Sequence, residues 1–307
     1  MKLLAKLLTI IILLTVANIA TSEDVPPKQC ANKSYKTPVL DNCTDIQRSV
    51  QIVTGGKDGA YLDLVNNIAR TEDELRVVPL ITRGSRQNIE YLLWLKGVDL
   101  ALVQADILES VLKNPEKYEV PNNIGSSINL VAKVFEENIY LIKTTEQPIE
   151  SVAIIGGEES GSYHTYTFFK DFNDFHIPNG VDEVFRFTDR DDAYMEMQAG
   201  ALDAIFFVVR KSADDIRAEI ANYFERDKYS FAELEPDGYL YPENKDGLRT
   251  VDTLLISVNV ADSYRYENIC EFNDIVRSLQ KQQEFKEYDI EFDKRTDMAK
   301  LEVLSCY

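Results

Sequence analysis

Short apolar runs alternate with longer amphipathic stretches along the chain, and this pattern is typical of an α/β protein. One apolar run ends at Val53 and leads into a glycine pair beginning at Gly55, and Leu62, Val65 and Ile68 then share one helical face. A strand, a glycine turn and a helix are therefore predicted in that order. Because such runs are rich in β-branched and aromatic residues and bounded by glycine, we expect parallel strands covered by helices.

The same order of elements recurs later in the chain. A second apolar run, residues 152–155, leads into Gly156, and a helix is predicted to open near Ser160 to Ser162. A similar strand, glycine pair, polar turn and helix therefore occur twice.

Both copies continue with a predicted helix of the same length. Ser85 is predicted as the N-cap of a helix ending at Gly97, and Thr188 as the N-cap of a helix ending at Gly200, each spacing being twelve residues. An aspartate and an apolar strand follow each glycine. These matches in the same order indicate an internal duplication, and each copy is predicted to form one lobe with the order β–α–β–α–β.

Two further strands are predicted to carry the chain between the lobes. The apolar run 128–142 leaves the first lobe, the run 251–260 returns to it, and an amphipathic helix is predicted over residues 264–285. The predicted first lobe comprises residues 21–135 and 250–307, and the second comprises residues 136–249. The predicted fold class is α/β, with two lobes of mixed, mostly parallel sheets and a hinge that lets them close on a ligand.

The first twenty residues have the layout of an export signal. Lys2 and Lys6 precede an apolar run over residues 7–16, and the small residues Ala17 and Ala20 offer a cleavage site. We therefore expect an exported protein of the periplasm or another extracytoplasmic space, with a retained N-terminal anchor as the alternative.

Four cysteines in an exported chain predict two disulfides, although four cysteines permit three pairings. The preferred pairing joins Cys30 to Cys43 and Cys270 to Cys306, because each bond closes a local loop near a terminus. A zinc site is not expected, since the chain has no C-x-x-C pair and only two histidines. No metal and no cofactor are predicted. Lipid attachment is not expected either, because Cys30 lies ten residues beyond the predicted cleavage site.

The formal net charge of −19 argues against nucleic acid or an anionic membrane surface as a partner. A small anionic ligand remains compatible with it, because backbone N–H groups and helix N-termini make a local site positive. In open parallel sheets, ligands lie beyond the carboxyl ends of the strands. The loop 55–59 of one copy and residues 160–162 of the other are therefore predicted to face each other around a small anionic group.

Five segments within residues 50–260 carry a family resemblance. They are T54-G-G-K-D-G-A-Y61, T82-R-G-S-R-Q-N88, V98-D-L-A-L-V-Q-A-D106, G156-G-E-E-S-G-S162 and G200-A-L-D-A-I-F-F207. Their order and spacing resemble the TAXI family, the solute receptors of tripartite ATP-independent periplasmic (TRAP) transporters. The resemblance implies a type II periplasmic-binding-protein fold and a receptor that delivers a glutamate-like amino acid or a dicarboxylate to a membrane permease. We expect the protein to be a monomer.

Position by position, the resemblance assigns the ligand site to ten residues: Thr54, Gly55, Gly59, Tyr61, Ser85, Gln104, Ser160, Gly161, Ser162 and Phe207. The sequence departs from the family pattern at Lys57 and Asp58, which stand where the family usually has small residues. Arg83 and Arg86 flank Ser85, and an arginine there can bind a carboxylate through two parallel hydrogen bonds. The alternative is that both arginines belong to an exposed helix start.

Two other classes of function stay open at the level of sequence. A stand-alone sensor or sequestering protein would use the same site without a permease. A serine hydrolase would use Ser160 with His164, but the G-x-S-x-G motif is not matched and no third orienting group is evident. We therefore expect a binding protein and no enzymatic activity.

Overall fold

The computed structural model describes residues 48–57, 59–71, 75–145, 149–171, 183–232, 234, 241–259, 263–282, 285–286, 288, 290–292, 301–304 and 306. Arg48–Tyr307 form one compact body. The predicted export signal and the predicted Cys30–Cys43 bond lie outside the described residues. Among the helices that are described, none combines the length and the apolar character needed to cross a bilayer.

The first repeat alternates strands and helices. Its elements are β1 (Ser49–Val53), α1 (Ala60–Thr71), β2 (Arg76–Leu80), α2 (Ser85–Trp94) and β3 (Leu100–Gln104). The three strands are parallel and lie in the order β2-β1-β3. The chain continues through α3 (Ala105–Lys113), a 3₁₀ turn (Pro115–Tyr118) and the short helix α4 (Ile124–Ser127) into the long strand β4 (Ile128–Thr144).

The second repeat has the same topology. Its elements are β5 (Ser151–Ile155), α5 (Gly161–Asp171), β6 (Glu183–Phe187), α6 (Arg190–Gln198) and β7 (Ala204–Val209). Its strands are again parallel, in the order β6-β5-β7. Because both repeats place the first strand between the second and the third, the predicted duplication is confirmed at the level of topology.

The remaining elements bring the chain back to the first repeat. They are α7 (Ala213–Ile220), β8 (Tyr229–Phe231), β9 (Thr250–Val258), α8 (Ser263–Leu279), β10 (Glu291–Phe292) and β11 (Glu302–Val303). A disulfide joins Cys270 of α8 to Cys306, as predicted.

Two crossing strands join the repeats into one sheet. β4 pairs antiparallel with β9 along its first part and with β7 along its last part, while β9 also pairs antiparallel with β3. The main strand order is β2-β1-β3-β9-β4-β7-β5-β6. The predicted α/β class and both crossing strands are confirmed, with parallel pairing inside each repeat and antiparallel pairing where the repeats meet. The lobe boundaries at residues 135 and 250 stay a prediction.

Helices cover the sheet through their apolar faces. In α3 the buried face is formed by Ile107, Leu108 and Val111, whose spacing of one, three and four residues is that of an amphipathic helix. Residues of α2, α3 and α5 belong to a single hydrophobic cluster that extends from the first repeat into the second. These three helices therefore lie where the two repeats meet.

The predicted N-caps of α2 and α6 are each wrong by one residue. Gly84 caps α2, and Ser85 is its first helical residue, because the Ser85 hydroxyl accepts a hydrogen bond from the Gln104 N–H instead. Asp189 caps α6, since its carboxylate accepts from the Asp191 N–H. In both cases the residue next to the predicted one directly precedes the first helical residue.

Candidate functional site

The seam is the contact between the start of α2 and α3 in the first repeat and the start of α5 in the second. At its centre Gly84 lies against the loop that precedes α5. A Cβ atom built on Gly84 would come within 2.7 Å of the Glu159 carbonyl oxygen and 2.8 Å of the Ser160 Cα. Gly84 also has φ 136° and ψ −169°, a region open almost only to glycine. The two backbones thus approach closely, and the approach depends on glycine.

Gln104 and Gly161 form the second contact across the seam. The Gln104 side chain, which is only 2% exposed, lies against the Gly161 backbone, so that a Cβ on Gly161 would overlap the Gln104 amide. The Gln104 Oε1 is buried and has no hydrogen-bond partner among the described residues. An unsatisfied buried acceptor is costly, and this one lies directly at the contact between the two repeats.

Asp106 forms a third contact across the seam. The Thr165 hydroxyl donates to Asp106 Oδ2 at 2.6 Å, and the Tyr241 hydroxyl donates to the same oxygen at 3.0 Å. Burial raises the pKa of Asp106, and the hydrogen bonds from Thr165 and Tyr241 oppose that shift. Nearby, Arg86 Nη1 of α2 lies 3.6 Å from Glu159 Oε2 as a cross-seam ion pair.

A polar cluster lies beside the seam and consists of Tyr61, Gln104, Glu137 and Thr253. The Tyr61 hydroxyl donates to Glu137 Oε2 at 2.8 Å, and the Thr253 hydroxyl donates to the same oxygen at 2.9 Å. Burial raises the pKa of Glu137; the hydrogen bonds from Tyr61, Thr253 and Gln104 lower it, while the charge of Asp106 raises it further. Burial, followed by the charge of Glu137, also raises the pKa of the Tyr61 hydroxyl.

Neither Glu137 nor Asp106 has a cationic partner within the described part of the chain. Glu137 is 7% exposed and Asp106 1% exposed, and neither forms an ion pair with a described residue. Buried carboxylates are ordinarily paired, because the charged form is strongly disfavoured away from water. The region is thus suited to a positively charged ligand group.

Three of the sequence-predicted residues in the first repeat have local hydrogen bonds. The Thr54 hydroxyl donates to the Leu80 carbonyl at 3.1 Å, and the Gly55 carbonyl accepts from the Thr82 N–H at 3.1 Å. The Gly59 N–H donates to the Gly56 carbonyl and the Gly59 carbonyl accepts from the start of α1. These residues shape the loop between β1 and α1.

In the second repeat, Ser160 and Ser162 also have partners. Ser160 Oγ accepts from the Tyr163 N–H at 3.2 Å and so caps α5, while Ser162 Oγ accepts from the Val208 N–H at 3.0 Å. The structure thereby places Tyr61, Ser85 and Gln104 together with Ser160 and Gly161 at or beside the seam.

Phe207 lies on the face of the sheet opposite to α5. Its ring is 5.3 Å from that of Tyr140, and the Arg190 guanidinium lies 5.5 Å above it. Successive strand residues point to opposite faces, and the neighbouring Phe206 is the one whose ring contacts Tyr166 of α5 at 5.3 Å.

Sequence reasoning missed four polar residues that the structure brings to the seam and the polar cluster: Asp106, Glu137, Thr165 and Thr253. Two of them left a signal. Asp106 comes shortly after the buried strand β3, and Glu137 lies in a polar interruption of the apolar run 128–142. The other two are ordinary threonines within a helix and a strand.

Ser160 and His164 do not form the pair that a serine hydrolase needs. The His164 imidazole donates to the Glu158 backbone carbonyl, and its buried Nε2 has no hydrogen-bond partner among the described residues. Burial, then the charges of Arg86 and Lys117, lower the pKa of His164 to about 4. The hydrogen bond between nucleophile and base is therefore missing. Within the described part of the chain there is also no group of three or more side chains suited to a metal ion.

No protein-family model matches the sequence, and no curated protein matches it. The chain is similar to several solved structures. YhfZ from Shigella flexneri has 13% identity over 80% of this chain and 94% of that chain, with a TM-score of 0.48. An ABC uptake transporter substrate-binding protein from Streptococcus pneumoniae with bound histidine has 13% identity over 81% and 94%, with a TM-score of 0.48. Holo ArgBP from T. maritima has 14% identity over 78% and 94%, with a TM-score of 0.43.

Proposed function

We propose that this protein is an extracytoplasmic solute-binding protein that captures a small carboxylate between its two repeats and catalyses no reaction. One observation carries the proposal: three helices, α2, α3 and α5, begin at the seam, where Gly84 lies against Ser160 and Gln104 lies against Gly161. Free N–H groups and the helix dipoles make converging helix N-termini a favourable site for an anion.

The two buried carboxylates favour an amino acid over a dicarboxylate as the solute. Glu137 and Asp106 lie beside the helix N-termini and have no cationic partner among the described residues. An ammonium group on the solute would neutralise this region, while its carboxylate would meet the helix N-termini. A glutamate-like amino acid combines both groups in one small molecule.

Capture would proceed by closure of the repeats. The chain passes between them through β4 and β9, so a small change in these two strands would open the seam. In the open form the solute would bind to one repeat, and closure would then add the donors of the other repeat and exclude water. The cross-seam hydrogen bond between Asp106 and Thr165 would stabilise the closed form.

We further propose that the protein acts as a monomer and delivers its solute to a TRAP-type permease. This part of the proposal is supported by the TAXI-like segments and by their order along the chain. The absence of a Ser160–His164 hydrogen bond weighs against the hydrolase alternative.

A thermal-shift screen of the purified protein against amino acids, dicarboxylates and keto acids tests the proposal. A solute at a hundred times its Kd stabilises the fold by about 2.7 kcal/mol, which is readily detected. We expect stabilisation by acids that carry an ammonium group, with the acid recovered chemically unchanged. Failure of every acid to stabilise the protein, or conversion of the bound acid into a product, would contradict the proposal.

A further inference from the structure

A cavity of about 280 Å³ opens beside the seam and is separate from the polar cluster. The first repeat and the 3₁₀ turn contribute Arg86, Lys117 and Tyr118 to its wall, and α5 contributes His164 and Thr167. None of the four residues of the polar cluster lines it. Because its walls come from both repeats, an occupant would contact both sides of the seam.

Two cations meet at this cavity. The Arg86 guanidinium lies 5.5 Å from the centre of the Tyr118 ring, and the Lys117 ammonium lies 5.7 Å from the same centre. Arg86 pairs with Glu90 at 2.5 Å and more distantly with Glu159 at 3.6 Å. Lys117 forms no ion pair with a described residue. Both cations line the cavity, so a small anion inside it would be attracted by both.

His164 lies beside these cations, and one of its ring nitrogens, Nε2, accepts no hydrogen bond from a described residue. Its imidazole N–H is directed to the Glu158 carbonyl, which leaves the buried Nε2 as an acceptor with no partner among the described residues. At neutral pH the ring is uncharged, because burial, Arg86 and Lys117 hold its pKa at about 4. An anion in the cavity would offset the two cations and so raise the pKa of the ring, and the protonated ring would donate a hydrogen bond from Nε2 to the anion.

The acidic groups around the cavity are already engaged. Asp106 accepts hydrogen bonds from Thr165 and Tyr241 on one oxygen and from the Ile107 N–H on the other. The titratable and charged groups that line or border the cavity are Arg86 and Glu90 on α2, Asp106 on α3, Lys117 and Tyr118 on the 3₁₀ turn, and Glu158, Glu159, Tyr163 and His164 around the start of α5.

We propose that this cavity binds one small oxyanion, a carboxylate or an inorganic oxyanion, next to Arg86, Lys117 and the Nε2 atom of His164. The cavity is distinct from the solute site at the helix N-termini, although Asp106 borders both. Its occupant would bridge α2 and α5 and so favour the closed arrangement of the repeats.

The chain offers a direct spectroscopic test, because it contains only two histidines, His164 and His176. In the His176→Gln variant of the full chain, His164 gives the one remaining histidine imidazole signal. Its pKa is measured by NMR in sulfate, in formate and in chloride at equal ionic strength. Sulfate keeps a constant charge over the pH range used, whereas formate takes up protons in its lower part, so the formate curve is compared at equal concentrations of the ionised form.

We expect sulfate, formate or both to raise the pKa of His164 by at least one unit over chloride, which corresponds to at least tenfold tighter binding to the protonated form. If both sulfate and formate raise the pKa of His164, the cavity accepts small oxyanions in general. If formate alone raises it, the cavity accepts carboxylates. Equal pKa values in all three salts would overturn the proposal.

Two matched lysine variants place the anion. Lys117→Gln should abolish the shift, whereas Lys113→Gln should preserve it, because Lys113 is an exposed partner of Glu109 and does not line the cavity. A shift that survives in Lys117→Gln would place the anion elsewhere and overturn the proposal.

Discussion

Thr165, in the middle of α5, donates a hydrogen bond of 2.6 Å to Asp106 at the start of α3. The two residues belong to opposite sides of the seam and are 59 positions apart in the chain. Both side chains are buried. This bond is therefore a specific link between the repeats, and its removal is a measure of how much the closed arrangement contributes to stability.

Thr165→Val should destabilise the protein by about 1–3 kcal/mol, because it leaves a buried carboxylate oxygen with one donor fewer. Urea denaturation measures the change. Thr167→Val is the matched control on the same helix, since the Thr167 hydroxyl donates only to the Tyr163 carbonyl one turn earlier. We expect the control to change stability by less than about 0.5 kcal/mol. Equal effects of the two variants would contradict a role for the cross-seam bond.

Glu137→Gln should separate stability from binding. The amide oxygen of the variant still accepts hydrogen bonds from Tyr61 and Thr253. The substitution also removes a buried carboxyl group whose pKa is raised by burial. Stability at pH 8 should therefore be equal to or above that of the wild type. Affinity for an ammonium-bearing acid should fall roughly tenfold to hundredfold, the loss of about 1.5–3 kcal/mol expected for a hydrogen bond to a charged group.

The control for this variant is Glu136→Gln at the neighbouring position. Glu136 is 44% exposed and pairs with Lys133 at 2.8 Å, and it is not a member of the polar cluster. Calorimetric titration should give the wild-type affinity for this control. An unchanged affinity in Glu137→Gln would show that the solute carries no cation to this carboxylate.

His164 should make the protein less stable as the pH falls. Its folded pKa of about 4 lies below the ordinary value of 6.5, so between these two pH values the unfolded chain binds a proton that the folded protein does not. The stability lost by pH 4 amounts to at most about 3 kcal/mol.

His164→Gln removes this dependence, and its melting temperature should therefore fall less than that of the wild type between pH 7 and pH 4. Asp99, Asp106 and Glu137 have pKa values raised mainly by burial and act in the opposite sense, but they are present in both proteins and cancel in the difference. Parallel curves for the two proteins would refute a depressed pKa at His164.

The fold followed from the sequence wherever local periodicity decided it. The apolar pattern alone identifies the strands that end at Val53 and Gln104, their counterparts in the second copy and the crossing run 128–142. These patterns can be recognised without knowledge of tertiary contacts. The helix N-caps could not be predicted in this way. The Ser85 hydroxyl accepts a hydrogen bond from the Gln104 N–H, which is 19 residues away in the chain, and it does not cap α2.

The candidate site was only partly predictable, for a physical reason. The loops of Gly55 and Ser160 were found through the duplication, which is a property of the sequence. The contacts of Gly84 with Ser160 and of Asp106 with Thr165 arise only when the two repeats approach each other. Glu137 was visible as a polar break in an apolar run, yet its partners Tyr61 and Thr253 come from two other elements.

Capture of an acid at the seam is tested most directly by calorimetric titration of glutamate, aspartate, glutamine, succinate and 2-oxoglutarate into the wild type, Gly157→Ala and Gly161→Ala. A Cβ on Gly157 meets nothing within 4 Å, whereas a Cβ on Gly161 would overlap the Gln104 amide. At least one acid should bind the wild type and Gly157→Ala with equal Kd, and bind Gly161→Ala at least tenfold more weakly. Binding of none of the acids, or wild-type affinity in Gly161→Ala, would contradict capture at the seam.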